Sequence, residues 1–212
     1  MNVYNTDEEQ AEVIRKWWAE NGRFLIAGVV LGIALLVGWN QWKAYQERTA
    51  QAASWQYQQL ERAVSNRAFD QVASLGASLR AEYAGSAYAT LGALLQAKAL
   101  TQQGQLDAAA EQLRWASTNG KTLELRELSR LRLAQVLTAD GKAEEALTLL
   151  QGDWPSGYTS LLEEYRGDAL RKLGRIDEAR AAYDRALLTA GAPVEYLRLK
   201  REDLGSARES ES

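Results

Sequence analysis

The chain has 212 residues, with 25 Lys and Arg against 28 Asp and Glu and a formal net charge of −3. This balance gives no support for nucleic-acid binding, because proteins that bind nucleic acid concentrate basic residues on one face. The absence of Cys and His excludes thiol nucleophiles, the usual zinc sites, imidazole bases and Ser-His-Asp triads. With two prolines and abundant Ala, Leu, Gln, Glu and Arg, the composition favours an all-α fold.

Residues 1–23 contain one short amphipathic pattern. Its apolar residues recur at helical spacing on one face: Ala11, Ile14, Trp17 and Trp18. The pair Asn21-Gly22 follows, and such residues favour a helix C-terminus. We therefore predict a short helix that ends at Asn21-Gly22 and lies at a membrane interface, or alternatively contacts a partner.

Residues 24–42 are predicted to form a transmembrane helix, because the run from Phe24 to Trp39 contains no charged residue. A helix from Trp17 to Trp42 would be roughly 37 Å long, enough to cross a hydrocarbon core of ~30 Å. Tryptophans flank the run on both sides, as expected at the two interfaces. A cleaved signal peptide fits poorly, because an acidic segment precedes the run and bulky aromatic residues follow it.

Small residues recur within the predicted membrane helix, where they would let a second helix approach closely. They are candidate positions for helix–helix packing in the membrane: Gly28, Gly32, Ala34 and Gly38. The pattern does not say whether the partner is a second copy or another protein. Basic residues on the two sides of the run are nearly balanced and favour a cytoplasmic N-terminus only weakly. Since neither Gly nor Pro occurs from Asn40 to Leu75, the helix is expected to continue past the anchor.

The remainder, residues 43–204, repeats a pattern of Gly, an acid at +3, Ala at +5 and a large apolar residue at +9. The pattern starts at Gly104, Gly141 and Gly174, spaced 37 and 33 residues apart, near the ~34-residue period of a tetratricopeptide repeat (TPR). Gly permits a left-handed turn, the acid complements a helix N-terminus, and Ala allows close helix crossing. The pattern predicts a TPR-like α-solenoid of three to four helix pairs.

The ends of the repeat array depart from this pattern. An earlier unit is degenerate: Asp70 and Val72 align with the acid and the Ala, but no Gly marks its turn. In the unit that starts at Gly141, Trp154-Pro155 predicts that the second helix ends early. A C-terminal capping helix is expected from Val194 to Leu204, followed by a disordered tail over residues 205–212.

TPR-like folds bind protein segments on the face formed by the first helix of each pair. Aligning the units predicts a candidate protein-binding groove lined by Leu94, Lys98, Thr101, Gln102, Leu131, Gln135, Thr138, Asp168, Arg171 and Lys172. The set lacks the Lys/Asn pattern that holds a C-terminal carboxylate in chaperone-binding TPR domains.

The sequence offers no catalytic motif, and we predict neither an enzyme nor a bound cofactor or metal. Gly120-Lys121-Thr122 resembles the end of a phosphate-binding loop, but Trp115 stands where its first Gly is required. The acidic pairs Glu144-Glu145 and Glu163-Glu164 are interpreted as solvated helix surface, because adjacent helical residues do not face each other.

The N-terminal stretch from Tyr4 to Tyr45 resembles the YfgM family of proteobacterial inner-membrane proteins, ancillary subunits of the SecYEG translocon. The resemblance is carried by Trp17-Trp18-Ala19-Glu20-Asn21-Gly22, Ala27-Gly28-Val29-Val30-Leu31-Gly32, and Gly38-Trp39 with Trp42. It implies a single-pass type II protein with a cytoplasmic N-terminus and a periplasmic TPR-like domain. The implied partners are the SecYEG translocon and a membrane-anchored periplasmic chaperone of the peptidyl-prolyl isomerase type.

The resemblance implies that the chain hands newly translocated polypeptides to periplasmic chaperones. Neither a nucleic-acid partner nor a small-molecule substrate is predicted. Two alternatives remain open at this point. One is a membrane-tethered regulatory TPR adaptor with other clients. The other is a membrane-tethered hydrolase that uses Ser and carboxylates, which would require a buried acid pair with shifted pKa values in a pocket.

Overall fold

The computed structural model describes the backbone over residues 7–189 and 194–209, and the side chains over residues 11–189 and 194–204. Within these ranges the chain is all-α, with one short 3-10 turn at Ser156–Tyr158. The chain divides into two compact units, Met1–Gln51 and Ala52–Ser212. The helices are α1 Asp7–Ser65, α2 Phe69–Glu82, α3 Ala87–Gln102, α4 Leu106–Asn119, α5 Leu123–Ala139, α6 Ala143–Leu149, α7 Thr159–Lys172, α8 Ile176–Thr189 and α9 Glu195–Glu209.

The first unit contains α1 as far as Gln51, and the apolar segment of this helix is exposed on every side. Between Phe24 and Val37 the large apolar side chains are 42% to 71% exposed. A helix that is apolar all round and unburied in the protein suits a lipid environment and not a protein core. Within the described residues, α1 is the one helix that is long and apolar enough to cross a membrane.

The predicted break at Asn21-Gly22 is wrong, because α1 continues through it. The side-chain amide of Asn21 donates to the Trp17 carbonyl oxygen at 3.1 Å, a bond that lies within the helix. Gly22 does not take the positive φ of a helix C-terminus. An Asn-Gly pair ends a helix only where the following residues adopt a non-helical conformation. Here the following apolar run is helical. The expectation that the helix extends past the anchor is confirmed as far as Ser65.

The second unit is a series of helix hairpins. The C-terminal part of α1 pairs with α2 around a core that includes Leu60 and Leu79. Then α3 pairs with α4, α5 with α6 and α7 with α8, and α9 packs on α8. These four pairs and a closing helix confirm the predicted TPR-like architecture.

The four hairpin turns share one geometry. In each, a backbone N–H donates to the carbonyl oxygen five residues earlier, at 2.8 to 2.9 Å, and the residue before the donor has positive φ. This Schellman arrangement satisfies carbonyl groups at the end of the first helix. Three turns use Gly, with φ of 73° to 81°, and the degenerate first unit uses Arg67, with φ of 56°. Asp70 and Val72 therefore occupy the repeat positions predicted for them.

Small residues of the repeat let paired helices approach closely. The Ala residues at +5 are fully buried, and so is Tyr183, the large residue at +9 in the last hairpin. A Cβ placed on Gly167 would clash with the Tyr183 ring, so α7 and α8 cross where only Gly fits.

The early end of α6, at Leu149, is confirmed, and arginines satisfy its terminal carbonyl groups. Arg130 donates from Nε to the Leu149 carbonyl oxygen at 2.6 Å and from Nη2 to that of Gln151 at 2.5 Å. Its guanidinium also lies 4.2 Å from the centre of the Trp154 ring. Helix-end carbonyl groups without helical partners need such donors.

The closing helix is longer than predicted, since α9 extends from Glu195 to Glu209. The expected disordered tail is therefore wrong for residues 205–209, while residues 210–212 lie outside the described chain. A single Gly inside a helix costs only about 1 kcal/mol, so Gly205 does not end α9 when Ser, Ala, Arg and Glu follow it. Leu197 and Leu204 attach α9 to the last hairpin by burial.

Candidate interaction groove

The first helices of successive hairpins and the closing helix line an open groove in the second unit. Its lining comes from α3, α5, α7 and α9, with Leu113 of α4, and it contains two adjoining cavities of about 570 and 580 Å³. Both cavities are lined by Gln135 and Ala139 of α5. Since α5 borders both, the cavities form neighbouring compartments of one surface.

The compartment between α3 and α5, here the apolar compartment, has an aliphatic floor. Its floor residues are Leu94, Ala97, Leu113, Leu128 and Val136. Lys98 and Arg132 lie at its edge, and no acidic residue lines it. The guanidinium of Arg132 donates to the Tyr165 hydroxyl at 2.8 Å. Because Tyr165 lines the second cavity, Arg132 lies at the boundary between the two compartments.

The compartment between α5, α7 and α9, here the polar compartment, is built around Asp168. One carboxylate oxygen of Asp168 accepts from the Tyr183 hydroxyl at 2.7 Å, and the other accepts from the Lys200 ammonium at 2.7 Å. Lys200 also donates to Glu164 at 2.7 Å, and its side chain is 11% exposed. Lys200 thus bridges two carboxylates, and the cluster of one cation and two acids keeps one negative charge.

The pKa values of this cluster follow from its burial and its bonds. Burial disfavours the charged form of Lys200, but hydrogen bonds to Asp168 and Glu164 outweigh it and raise the pKa of the ammonium. Burial first, and then the Asp168 carboxylate, raise the pKa of the Tyr183 hydroxyl. Burial likewise raises the pKa of Tyr165. At neutral pH both tyrosine hydroxyls are therefore protonated: that of Tyr183 donates to Asp168, and that of Tyr165 accepts from Arg132. Lys200 is a cation held by two acids.

Comparison with known proteins identifies the family of the chain. A family model described as a tetratricopeptide repeat-like domain matches residues 15–206. A protein of Escherichia coli named Ancillary SecYEG translocon subunit is 30% identical over 206 residues, covering 96% of this chain and 99% of its own. The chain belongs to the ancillary SecYEG translocon subunit family.

Other relatives carry the same name. The Haemophilus influenzae protein is 30% identical over 70% of this chain and 72% of its own, and the Neisseria gonorrhoeae protein is 26% identical over 88% and 90%. No solved structure matches the chain. The resemblance carried by the N-terminal motifs is thereby confirmed at the level of the family.

The structure brings nine of the ten predicted groove residues of this family member together. They are Leu94, Lys98, Thr101, Gln102 and Gln135 in the apolar compartment, with Gln135 shared, and Thr138, Asp168, Arg171 and Lys172 in the polar compartment. Leu131 is wrong as a groove residue, because it is fully buried in a cluster with Leu162 and Tyr165 of α7. Alignment of the repeats places Leu131 at the position of Leu94, but α7 packs over Leu131 and buries it. Ligand binding by the groove residues remains a prediction.

Sequence reasoning missed several lining residues in this family member. Leu128, Arg132 and Ala139 share one face of α5 with Gln135, at spacings of three and four residues that could have revealed them. Tyr196 and Lys200 come from α9, outside the repeat, so alignment of the units could not find them.

The small residues of α1 stay candidates for helix packing. A Cβ placed on Gly28, Gly32 or Gly38 would meet no atom within 4 Å. Each glycine, and with them Ala34, therefore lies on a surface where a second helix would find room. Packing of another helix at these positions remains a prediction.

The acidic pairs have different environments. Glu144 and Glu145 are exposed, as predicted. The solvated interpretation is wrong for Glu163, which is 5% exposed because Arg166 and Arg185 bind its two carboxylate oxygens at 2.6 and 2.8 Å. Two arginines hold Glu163 as a charge-paired structural carboxylate. Within the described residues no group of three or more Asp and Glu is arranged to hold a metal ion.

Proposed function

We propose that the chain is a membrane-anchored protein–protein interaction module and an accessory subunit of the Sec translocon. Residues 24–42 act as its anchor in the inner membrane, preceded by residues 1–23, and residues 43–204 form the repeat domain. The observation that carries the proposal is the groove, in which nine aligned repeat positions surround two adjoining compartments. The exposed apolar segment of α1 supports the anchor, and the printed name of the relatives supports the translocon.

The groove receives newly translocated polypeptides and passes them to a periplasmic chaperone. The proposed chaperone is membrane-anchored and of the peptidyl-prolyl isomerase type, which rests on the YfgM resemblance. In this arrangement the N-terminus is cytoplasmic and the repeat domain is periplasmic. Arg15, Lys16 and Arg23 on the N-terminal side of the apolar run agree with that orientation. An interaction module of this kind turns over no substrate.

Site-specific photo-crosslinking in intact cells tests the assignment. Probes are placed at Val30 in the anchor and at Lys98 in the apolar compartment. A probe at Glu111, which is exposed on the second helix α4, serves as the control surface. We expect Val30 to crosslink to translocon subunits, and Lys98 to crosslink to nascent secretory chains and a periplasmic chaperone, with Glu111 giving far fewer adducts.

Two outcomes would contradict the proposal. Adducts of Lys98 with cytosolic proteins alone would favour a regulatory adaptor of the opposite orientation. Equal adducts at Lys98 and Glu111 would remove the groove as the interaction site. Reporter enzymes fused to each terminus, one active only in the cytoplasm and one only in the periplasm, measure the orientation independently.

A further inference from the structure

The groove carries a charge opposite in sign to that of the whole chain. The net charge of the chain is −3. The two compartments are lined by the basic residues Lys98, Arg132, Arg171, Lys172 and Lys200, against the single acid Asp168. Basic side chains collected in a concave surface focus a positive potential there. The groove is therefore suited to a ligand with negative charge.

The ion pairs within the protein show which of these cations are available to bind a ligand. Lys200 is held by Asp168 and Glu164. Among the described residues, Lys98, Arg171 and Lys172 have no acid within salt-bridge distance, and all three are exposed. Arg171 and Lys172 thus outweigh the one negative charge that Lys200 leaves on Asp168 and Glu164, and the polar compartment is positive.

The apolar compartment indicates a second property of the ligand. Its aliphatic floor takes an apolar side chain, and it adjoins the polar compartment across α5. Packed helices in proteins are usually about 8–10 Å apart, and compartments on the two sides of one helix are separated by about the same distance. A polypeptide in the polyproline II conformation rises about 3.1 Å per residue and brings side chains three positions apart to the same face, about 9 Å from each other.

We propose that the groove selects extended polypeptide segments in which an apolar and an acidic residue lie three positions apart. The apolar side chain enters the apolar compartment, and the carboxylate binds Arg171 and Lys172. This inference rests on the proposed function and adds the chemical class of the bound segment. A newly translocated chain would expose such segments before it folds, because its apolar residues are not yet buried.

Peptide binding by the full chain in nanodiscs tests the inference. The probes are short, unstructured fluorescent peptides with one Leu and one Glu three positions apart, in either order, and matched peptides with Gln or Lys in place of Glu. We expect the Gln peptide to bind about fivefold to tenfold more weakly, as for loss of a solvent-exposed charge pair with two cations. The Lys peptide should bind more weakly still.

Protein variants assign the effect to the groove. R171Q/K172Q should bind the Glu and Gln peptides equally, whereas R171K/K172R should keep the preference. The control R114Q/K121Q removes two exposed cations that do not line either compartment, and it should also keep the preference. Circular dichroism checks that each variant is folded.

The possible results separate this inference from the proposed function. Equal binding of the Glu and Gln peptides to the unaltered chain would overturn the acidic specificity alone, since crosslinking at Lys98 reports polypeptide contact independently. A preference that persists in R171Q/K172Q would also overturn it. No peptide binding together with no adduct at Lys98 would overturn both.

Discussion

At the scale of single residues, the hairpin turns show that residues with and without a side chain adopt the same positive φ. Gly104, Gly141 and Gly174 take positive φ without steric cost, whereas Arg67 takes φ of 56° with a Cβ present. The Schellman hydrogen bond from Ala68 to Ala63 still forms at 2.9 Å. The first turn is therefore strained where the other three are relaxed.

Replacing Arg67 by Gly should stabilise the second unit. Release of the left-handed strain is partly offset by the greater flexibility of Gly in the unfolded chain, so we expect a gain of about 0.5–1 kcal/mol. Chemical denaturation of the full chain in detergent measures it. Arg67→Ala keeps a Cβ and should give no comparable gain; an equal gain from both variants would show that φ is not the cause.

Lys200 is the residue whose charge binds α9 to α7. Lys200→Met leaves Asp168 and Glu164 without their cation and should cost about 1–3 kcal/mol. Because the pKa of Lys200 is raised in the folded state, its contribution is fully present below the ordinary lysine pKa of about 10.4 and is lost as pH rises through the raised value.

Denaturation of the unaltered chain and of Lys200→Met at several pH values checks this prediction. The difference in unfolding free energy should be constant from about pH 7 to 9 and should shrink above about pH 10.4. Arg201→Gln, in which an exposed pair with Asp184 is lost, is the control and should cost under about 1 kcal/mol. A difference that shrinks already near neutral pH would contradict the assignment.

At the scale of helices, the short α6 depends on Arg130. Arg130→Ala removes donors from two carbonyl groups and a contact with the Trp154 ring, and we expect a loss of about 2 kcal/mol. Arg130→Lys should recover only part of it, because an ammonium cannot reproduce the planar fork.

Thermal unfolding followed by circular dichroism compares these variants. The control is Arg114→Ala, which breaks an ion pair with both side chains about half exposed and should change stability by less than about 1 kcal/mol. If Arg130→Ala and Arg114→Ala had equal effects, Arg130 would not be the cap of α6.

At the scale of the whole molecule, the two units differ in the environment, water or lipid, that suits their surfaces. The segment Ala52–Ser212 has its own buried clusters, whereas the apolar residues of α1 in Met1–Gln51 are exposed. We predict that Ala52–Ser212 folds as a soluble helical protein without detergent. Size-exclusion chromatography and circular dichroism check this; aggregation that detergent reverses would contradict it, and the full chain in detergent is the control.

The architecture could be predicted from the sequence because the residue patterns that indicate it involve positions close together in the chain. A Gly that needs positive φ, an acid near a helix N-terminus and a buried Ala recur within ten residues of each other, and each acts through its own helix or turn. The apolar run of α1 is equally local. The errors at Asn21-Gly22 and Gly205 arose where a residue that commonly ends helices was outweighed by its neighbours.

An all-α chain with an apolar helix and a series of repeat hairpins could be predicted without the structure, because those patterns depend on residues close together in the chain. Three features depend on how the helices pack: Leu131 is covered by α7, Arg132 donates to Tyr165, and Lys200 of α9 completes the groove. Periodicity assigns a residue to a face of its helix. The helix that packs against that face is decided by the whole fold, and burial and charge pairing follow from that packing.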